Sequence, residues 1–247
     1  MNLNDFFLKY SKVALAFSGG VDSAYLLYYA KKCGADIKAY YVKSDFQPEF
    51  ELNDAKKLAN ELNADLSIIN LDVLKHDDIC KNPKNRCYYC KKQIFNAIVK
   101  SALNDGYNVI IDGTNASDDA EERAGMKVLK ELNVLSPLRF CSLTKEQIRE
   151  KSKEANLFTF DKPAYSCLAT RIKTGEYITK DKLKTTEYAE SVLFDLGFTD
   201  FRVRMFENNA KIQLKENQLA LFIGKRAEIL EKLKNLYDNV LLDLEVR

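Results

Sequence analysis

Val13-Ala14-Leu15-Ala16-Phe17-Ser18-Gly19-Gly20-Val21-Asp22-Ser23 decides the fold. Five apolar residues read as a strand, a Ser-Gly-Gly turn stops it, and Val21 restarts the chain as a helix. This order gathers backbone N–H groups and the positive end of a helix around one small concavity, which is an anion site. Gly19 and Gly20 let the main chain approach a pyrophosphate with no Cβ in the way, and either can take a positive φ. Ser18 and Ser23 add hydroxyl donors. Asp22 belongs among phosphates only if a divalent cation, Mg2+, bridges it to them. The structural alternative is a plain capped turn between strand and helix.

Downstream, apolar runs alternate with helical patterns through the first two-thirds of the chain. Strand-like segments fall at 13–17, 37–42, 66–71 and 109–111, with amphipathic stretches at 50–62 and 91–103 between them. The order predicts an α/β fold, a parallel sheet covered by helices on both faces. Ligands of such sheets bind beyond the carboxyl ends of the strands. The loop 18–23 falls at one such end and the Asp112-Gly113-Thr114-Asn115 turn at another, so Gly113 joins the nucleotide-binding candidates.

Thr144-Lys145-Glu146-Gln147 is a capping box that opens a helix to about Ala155. A long segment with little periodicity follows, from Leu157 to about Tyr177, and loops of this length are often functional. Beyond it a helix at 180–196, a strand pair at 201–206 and 211–214, a helix at 218–236 and a last strand at 240–244 form a small α/β appendage. The expected domains are 1–175 and 176–247.

At 247 residues, 46% hydrophobic and 30% charged, the chain can bury a full core. Its 38 Lys and Arg nearly balance 36 Asp and Glu, a net charge of +2, which argues against a long nucleic-acid partner. The first residues lack the pattern of a signal peptide, and no uncharged run reaches the length of a membrane span. The expectation is a cytoplasmic protein acting on a small molecule, as a homo-oligomer.

Six cysteines in such a protein are explained by metal, catalysis or burial rather than by disulfides. Cys87 and Cys90 form a C-x-x-C pair whose spacing lets two thiolates reach one centre. Zinc would need four Cys or His ligands, so the pair would have to recruit Cys167 together with His76, Cys80 or Cys141. Three thiolates suit a 4Fe-4S cluster with one iron left open, and Cys167, in the long segment, is the best third ligand. A thioredoxin-like redox pair is the further alternative, but the pair does not fall at the first strand-helix junction. Cys33, Cys80 and Cys141 read as buried or incidental thiols, and His76 as a surface residue.

Ser18-Gly19-Gly20-Val21-Asp22-Ser23 matches the SGGxDS loop of the PP-loop ATP pyrophosphatases at every defined position. Together with Arg86-Cys87-Tyr88-Tyr89-Cys90-Lys91, Asp112-Gly113-Thr114-Asn115, Ser136-Pro137-Leu138, Lys162-Pro163-Ala164, Cys167-Leu168-Ala169-Thr170-Arg171 and Arg202-Val203-Arg204, it resembles the LarE family of ATP-dependent sulfur transferases over roughly residues 13–212. The resemblance implies that a carboxylate of pyridinium-3,5-biscarboxylic acid mononucleotide is adenylated and that sulfur then replaces AMP, in the making of the nickel-pincer nucleotide. In one version of the family the cysteine at the position of Cys167 gives up its own sulfur. In the other, three cysteines carry a 4Fe-4S cluster that presents sulfide, and Cys87, Cys90 and Cys167 point to that version.

Arg202 and Arg204 are two apart on a strand and leave the same face, so their guanidinium groups could grip a phosphate side by side. An exposed polar hairpin face would show the same pattern. The resemblance favours the phosphate of the substrate, with Arg171 a further candidate for that task. Two rival functions remain at this level: a tRNA thiolase, which would call for a more basic surface, and a zinc-stabilised nucleotide sensor.

Overall fold

The computed structural model describes residues 1–118 and 124–245. In chain order the elements are α1 (Leu3–Lys9), β1 (Lys12–Ala16), α2 (Val21–Lys32), β2 (Asp36–Lys43), α3 (Glu49–Glu61), β3 (Asp65–Asn70), α4 (Asp77–Cys80) and α5 (Arg86–Asn104). They continue with β4 (Ile110–Asp112), α6 (Ala124–Glu131), α7 (Pro137–Phe140), α8 (Lys145–Glu154), α9 (Lys180–Asp195), β5 (Arg202–Phe206), β6 (Asn209–Gln213), α10 (Leu219–Gly224), α11 (Arg226–Leu233) and β7 (Val240–Leu242). The chain divides into two compact units. One comprises 1–44, 49–73 and 85–162, the other 45–48, 74–84 and 163–247.

The first unit is the expected α/β layer structure. Its four strands are parallel, in the order β3-β2-β1-β4. Successive strand residues point to opposite faces, and the burial follows that alternation. Val13, Leu15, Ile37, Ala39, Tyr41 and Ile111 pack with apolar residues of α1, α2, α3, α7 and α8. Ala14, Tyr40, Val42 and Ile110 pack with α5 and α6 on the other side. Both faces are therefore covered, which is why these strands read as continuous apolar runs.

From β1 the chain winds outward through β2 to β3 and then crosses back to place β4 on the other side of β1. The order reverses beside β1, and a crevice opens at such a switch point beyond the carboxyl ends of the strands. A parallel bridge from Ile111 to Leu135 extends the sheet past β4. It brings Ser136 beside Asp112, whose Oδ1 accepts the Ser136 hydroxyl at 2.7 Å.

In the second unit β5 and β6 form an antiparallel hairpin through Glu207 and Asn208, and β7 adds to β6 in parallel. Val203, Ala210, Ile212 and Leu214 pack with apolar residues of α9, α10 and α11. The single helix expected at 218–236 is two, α10 and α11, and the break falls at Gly224 and Lys225. Glycine costs a helix interior about 1 kcal/mol relative to alanine, enough to end so short a helix. The segments 45–48 and 74–84 join this unit through the main chain. Leu168 N–H donates to Phe46 O, Gly175 N–H to Asn82 O and Ile178 N–H to Cys80 O, at 2.8 to 2.9 Å.

Candidate functional site

The Ser18–Ser23 loop leaves β1 and runs into α2 as its sequence requires. Gly19 has φ +71°, which L side chains rarely adopt, and a Cβ there would stand 3.2 Å from the Ala55 side chain of α3. Gly20 is the N-cap of α2, and no side chain caps that end. The first-turn amides of a helix have no acceptor within it, so here they are turned toward whatever anion the loop receives. Ser18 and Ser23 brace the turn. Their hydroxyls lie 3.1 Å apart, Gly20 N–H donates to Ser18 Oγ at 3.3 Å, and Ser23 Oγ donates to Gly20 O at 3.2 Å.

The turn after β4 closes on this loop. A Cβ on Gly113 would lie 3.0 Å from Ser23 N and 3.3 Å from Asp22 Cβ, so only glycine lets the two backbones approach this closely. Asp112, buried, is held by two hydroxyls, Ser136 at 2.7 Å and Thr114 at 2.5 Å. Asn115, also buried, donates through Nδ2 to Asp22 Oδ1 at 3.2 Å, and its own Oδ1 accepts Ser117 N–H at 2.8 Å. Asp22 Oδ2 forms an ion pair with Lys145 Nζ. Asp22, Ser23, Gly113, Asn115 and Lys145 thus meet at the β1/β4 switch point.

Lys145 is the residue that sequence reasoning missed. It follows the Thr144 cap of α8, whose capping box is present as expected: Gln147 N–H donates to Thr144 Oγ1 and Thr144 N–H to Gln147 Oε1. The capping pattern drew attention to Thr144 and Gln147, while the partner of Lys145 lies 123 positions away.

Cys87 and Cys90 stand in the first turn of α5, one turn apart on the same face, Cys87 exposed and Cys90 half-buried. The helix starts earlier than the expected amphipathic stretch, at Arg86, whose side chain is buried with its Nη2 3.8 Å from Cys87 Sγ. Cys167, half-buried, belongs to the second unit and is the N-cap of a single 3-10 turn, Leu168–Arg171. All six cysteines are free thiols. Among the described residues, no group of three His, Cys, Asp or Glu side chains is placed to hold a metal ion. Cys80 is buried and donates to Leu74 O, as an incidental thiol would, and Cys33 and Cys141 are half-buried. His76 is half-buried at the N-cap position of α4.

The three arginines cluster around the Cys167 segment. Arg171 is fully enclosed, its Nε and Nη2 donating to the two oxygens of Glu190 at 2.7 and 3.0 Å. Its Nη1 reaches Ser166 O at 2.8 Å and Cys167 O at 3.4 Å. Burial, the largest single influence, lowers this guanidinium's pKa, but the hydrogen bonds and the charge of Glu190, with Tyr165 and Cys167, together hold it above its ordinary value. Glu190 also accepts the Tyr165 hydroxyl and, at 2.9 Å, Val203 N–H. Arg202 and Arg204 do leave one face of β5. Arg202 donates to Ala164 O and Arg204 to Thr170 O, both at 2.7 Å, and Arg202 also lies over the Tyr165 ring. Residues 164–171 are thereby clamped from three guanidinium groups. Arg202 is buried, while Arg204 is half-buried.

Among the described residues, no helix is long and apolar enough to cross a membrane. Residues 12–84 match the model of a family described as queuosine biosynthesis protein QueC. An uncharacterized protein of Synechocystis is 34% identical over 99% of this chain and 92% of its own length, and one of Methanocaldococcus jannaschii is 33% identical over 99% and 94%. The pyridinium-3,5-bisthiocarboxylic acid mononucleotide synthase of Lactiplantibacillus plantarum is 31% identical over 94% of this chain and 86% of the synthase. On that identity across nearly all of its length, and on a PP-loop set at the switch point of a parallel sheet, the chain belongs to the LarE family of the PP-loop superfamily.

Proposed function

We propose that the protein is an ATP-dependent sulfur transferase that adenylates a carboxylate of pyridinium-3,5-biscarboxylic acid mononucleotide and replaces the AMP with sulfur. The observation that carries this reading is the meeting of the Ser18–Ser23 loop, Gly113 and Asn115 at the carboxyl ends of β1 and β4. The similarity to the Lactiplantibacillus synthase supports the choice of substrate.

Ser18, Gly19, Gly20 and Ser23 hold the phosphates of ATP at the uncapped N-terminus of α2. Asp22 would hold Mg2+, which would supply positive charge beside the departing pyrophosphate. A substrate carboxylate, already ionised near neutrality, forms the new bond to the α-phosphorus as the bond to pyrophosphate breaks. Arg204, half-buried at the edge of the clamp, and Arg202 bind the phosphate of the substrate. Arg171 serves the same end by fixing the segment that carries Cys167. Cys87, Cys90 and Cys167 would hold a 4Fe-4S cluster, which supplies sulfide when bound. The product is a thiocarboxylate and AMP.

Anaerobic iron and acid-labile sulfide analysis tests the sulfur source, together with pyrophosphate release that depends on the pyridinium substrate. About four irons per chain, with Cys167 intact after turnover, supports the cluster. A metal-free protein whose Cys167 loses its sulfur during turnover overturns the cluster in favour of sacrificial transfer. A second reading is favoured by one observation: the tRNA-specific 2-thiouridylase MnmA of Pseudothermotoga lettingae is 24% identical over 95% of this chain. ATP turnover that responds to bulk tRNA and not to the pyridinium nucleotide would establish that reading instead.

A further inference from the structure

Asp22 has both carboxylate oxygens engaged, Oδ1 by Asn115 and Oδ2 by Lys145. Each oxygen keeps a second lone pair, but a cation arriving at this carboxylate meets the ammonium of Lys145 already on Oδ2 and is repelled by it until that charge moves away. Asn115 is fixed: it is buried, its Oδ1 accepts Ser117 N–H, and its backbone N–H donates to Asp118 at 3.1 Å. Lys145 is the mobile partner, a flexible four-carbon stem whose side chain is 36% exposed.

The position of Lys145 is not explained by its helix. It lies in the first turn of α8, where the macrodipole disfavours a positive charge, and the Thr144–Gln147 box completes the cap without it. Its backbone N–H donates to Ser117 Oγ at 3.0 Å, which anchors the residue to the turn that also carries Asn115. A cation is thus held against the local field, on the carboxylate beside the N-terminus of α2.

We propose that Lys145 and Asp22 form an exchangeable pair. Lys145 neutralises Asp22 until Mg2+ and ATP arrive, then passes Asp22 to the metal and moves to the phosphates. A divalent ion exerts twice the Coulomb attraction of an ammonium on the same carboxylate at equal distance, so the exchange runs in the direction of the metal complex. The ammonium it releases is a point charge suited to a phosphate oxygen. The pair makes ATP binding Mg2+-dependent, because free ATP cannot draw Lys145 away without leaving Asp22 bare among phosphates.

The inference rests on the reading of the loop as an ATP site, and calorimetric titration of ATP with and without Mg2+ separates the two. For the wild type, binding with Mg2+ and little without it is expected. Lys145→Met weakens Mg2+-ATP binding by about tenfold or more. Asp22→Asn, nearly the same shape, frees Lys145 and strengthens binding of Mg2+-free ATP several-fold, a gain that the double variant loses. Because the second effect is a gain, it is not produced by misfolding. Unchanged ATP affinity in Lys145→Met, or no gain in Asp22→Asn, overturns the pair while leaving the ATP site standing. A wild type that binds no ATP under either condition overturns both.

Discussion

Gly113 and Ser136 show how single residues set the nucleotide loop. Gly113 faces backbone atoms of Ser23, which cannot swing aside as a flexible side chain would. Gly113→Ala therefore pushes the β4 turn and the start of α2 apart, at a cost of about 1–3 kcal/mol. The expected result is a folded protein with markedly weakened ATP binding, read by titration alongside a thermal melt. Ser136→Ala removes one of the two hydroxyls on buried Asp112 and costs about 1–3 kcal/mol for the unsatisfied oxygen, measured by urea unfolding. The glycines and Ser18, Asp22 and Ser23 were legible because their types follow from the local turn. The Lys145–Asp22 pair was not, since a lysine after a helix cap is unremarkable until the fold supplies its partner. The depth of Arg171 was equally hidden, because only the position of Glu190 on α9 makes an enclosed guanidinium tolerable.

At the level of elements, Glu190 fastens the 165–171 segment to α9 and β5 by accepting from Arg171, Tyr165 and Val203. Removing one partner of a buried ion pair costs about 3–5 kcal/mol, because the other charge is left uncompensated. Glu190→Gln is expected to lower the urea midpoint by the corresponding amount, and Glu190→Asp to recover part of it. In the first unit, Asp105 after the end of α5 accepts from Lys38 at 2.7 Å and Tyr40 at 2.8 Å, tying that helix to β2. Hydrogen bonds from Lys38 and Tyr40 hold its carboxyl below the usual aspartate value. The depressed value means this contribution is present above the unfolded aspartate range near 4 and is lost as pH falls through the lower folded value. Acid titration of stability should therefore flatten at low pH in Asp105→Asn relative to the wild type. Strands β1 to β4 and helices α2, α3, α8 and α9 were readable from periodicity and caps. The split of α10 from α11 was not, because a lone glycine in a helical pattern does not say whether the helix survives it.

For the whole molecule, the proposed cluster ligands are Cys87, Cys90 and Cys167, all free thiols. Serine at any of the three is expected to abolish iron retention, while serine at Cys33, Cys80 or Cys141 leaves it intact, as iron analysis of anaerobic preparations would show. The sequence carries no local signal that 45–48 and 74–84 pack with residues 163–245. These short segments are held by backbone hydrogen bonds, which leave no mark on composition. Their placement has a consequence for synthesis. Ile79, fully buried in the finished protein, leaves the ribosome well before most of its unit exists, since apart from 45–48 and 74–84 that unit begins only at residue 163. At about 5–20 residues per second, the delay is several seconds or more. During that interval Leu74, Ile79 and Cys80, the few apolar residues of a segment otherwise charged and polar, wait in water for the partners that will bury them.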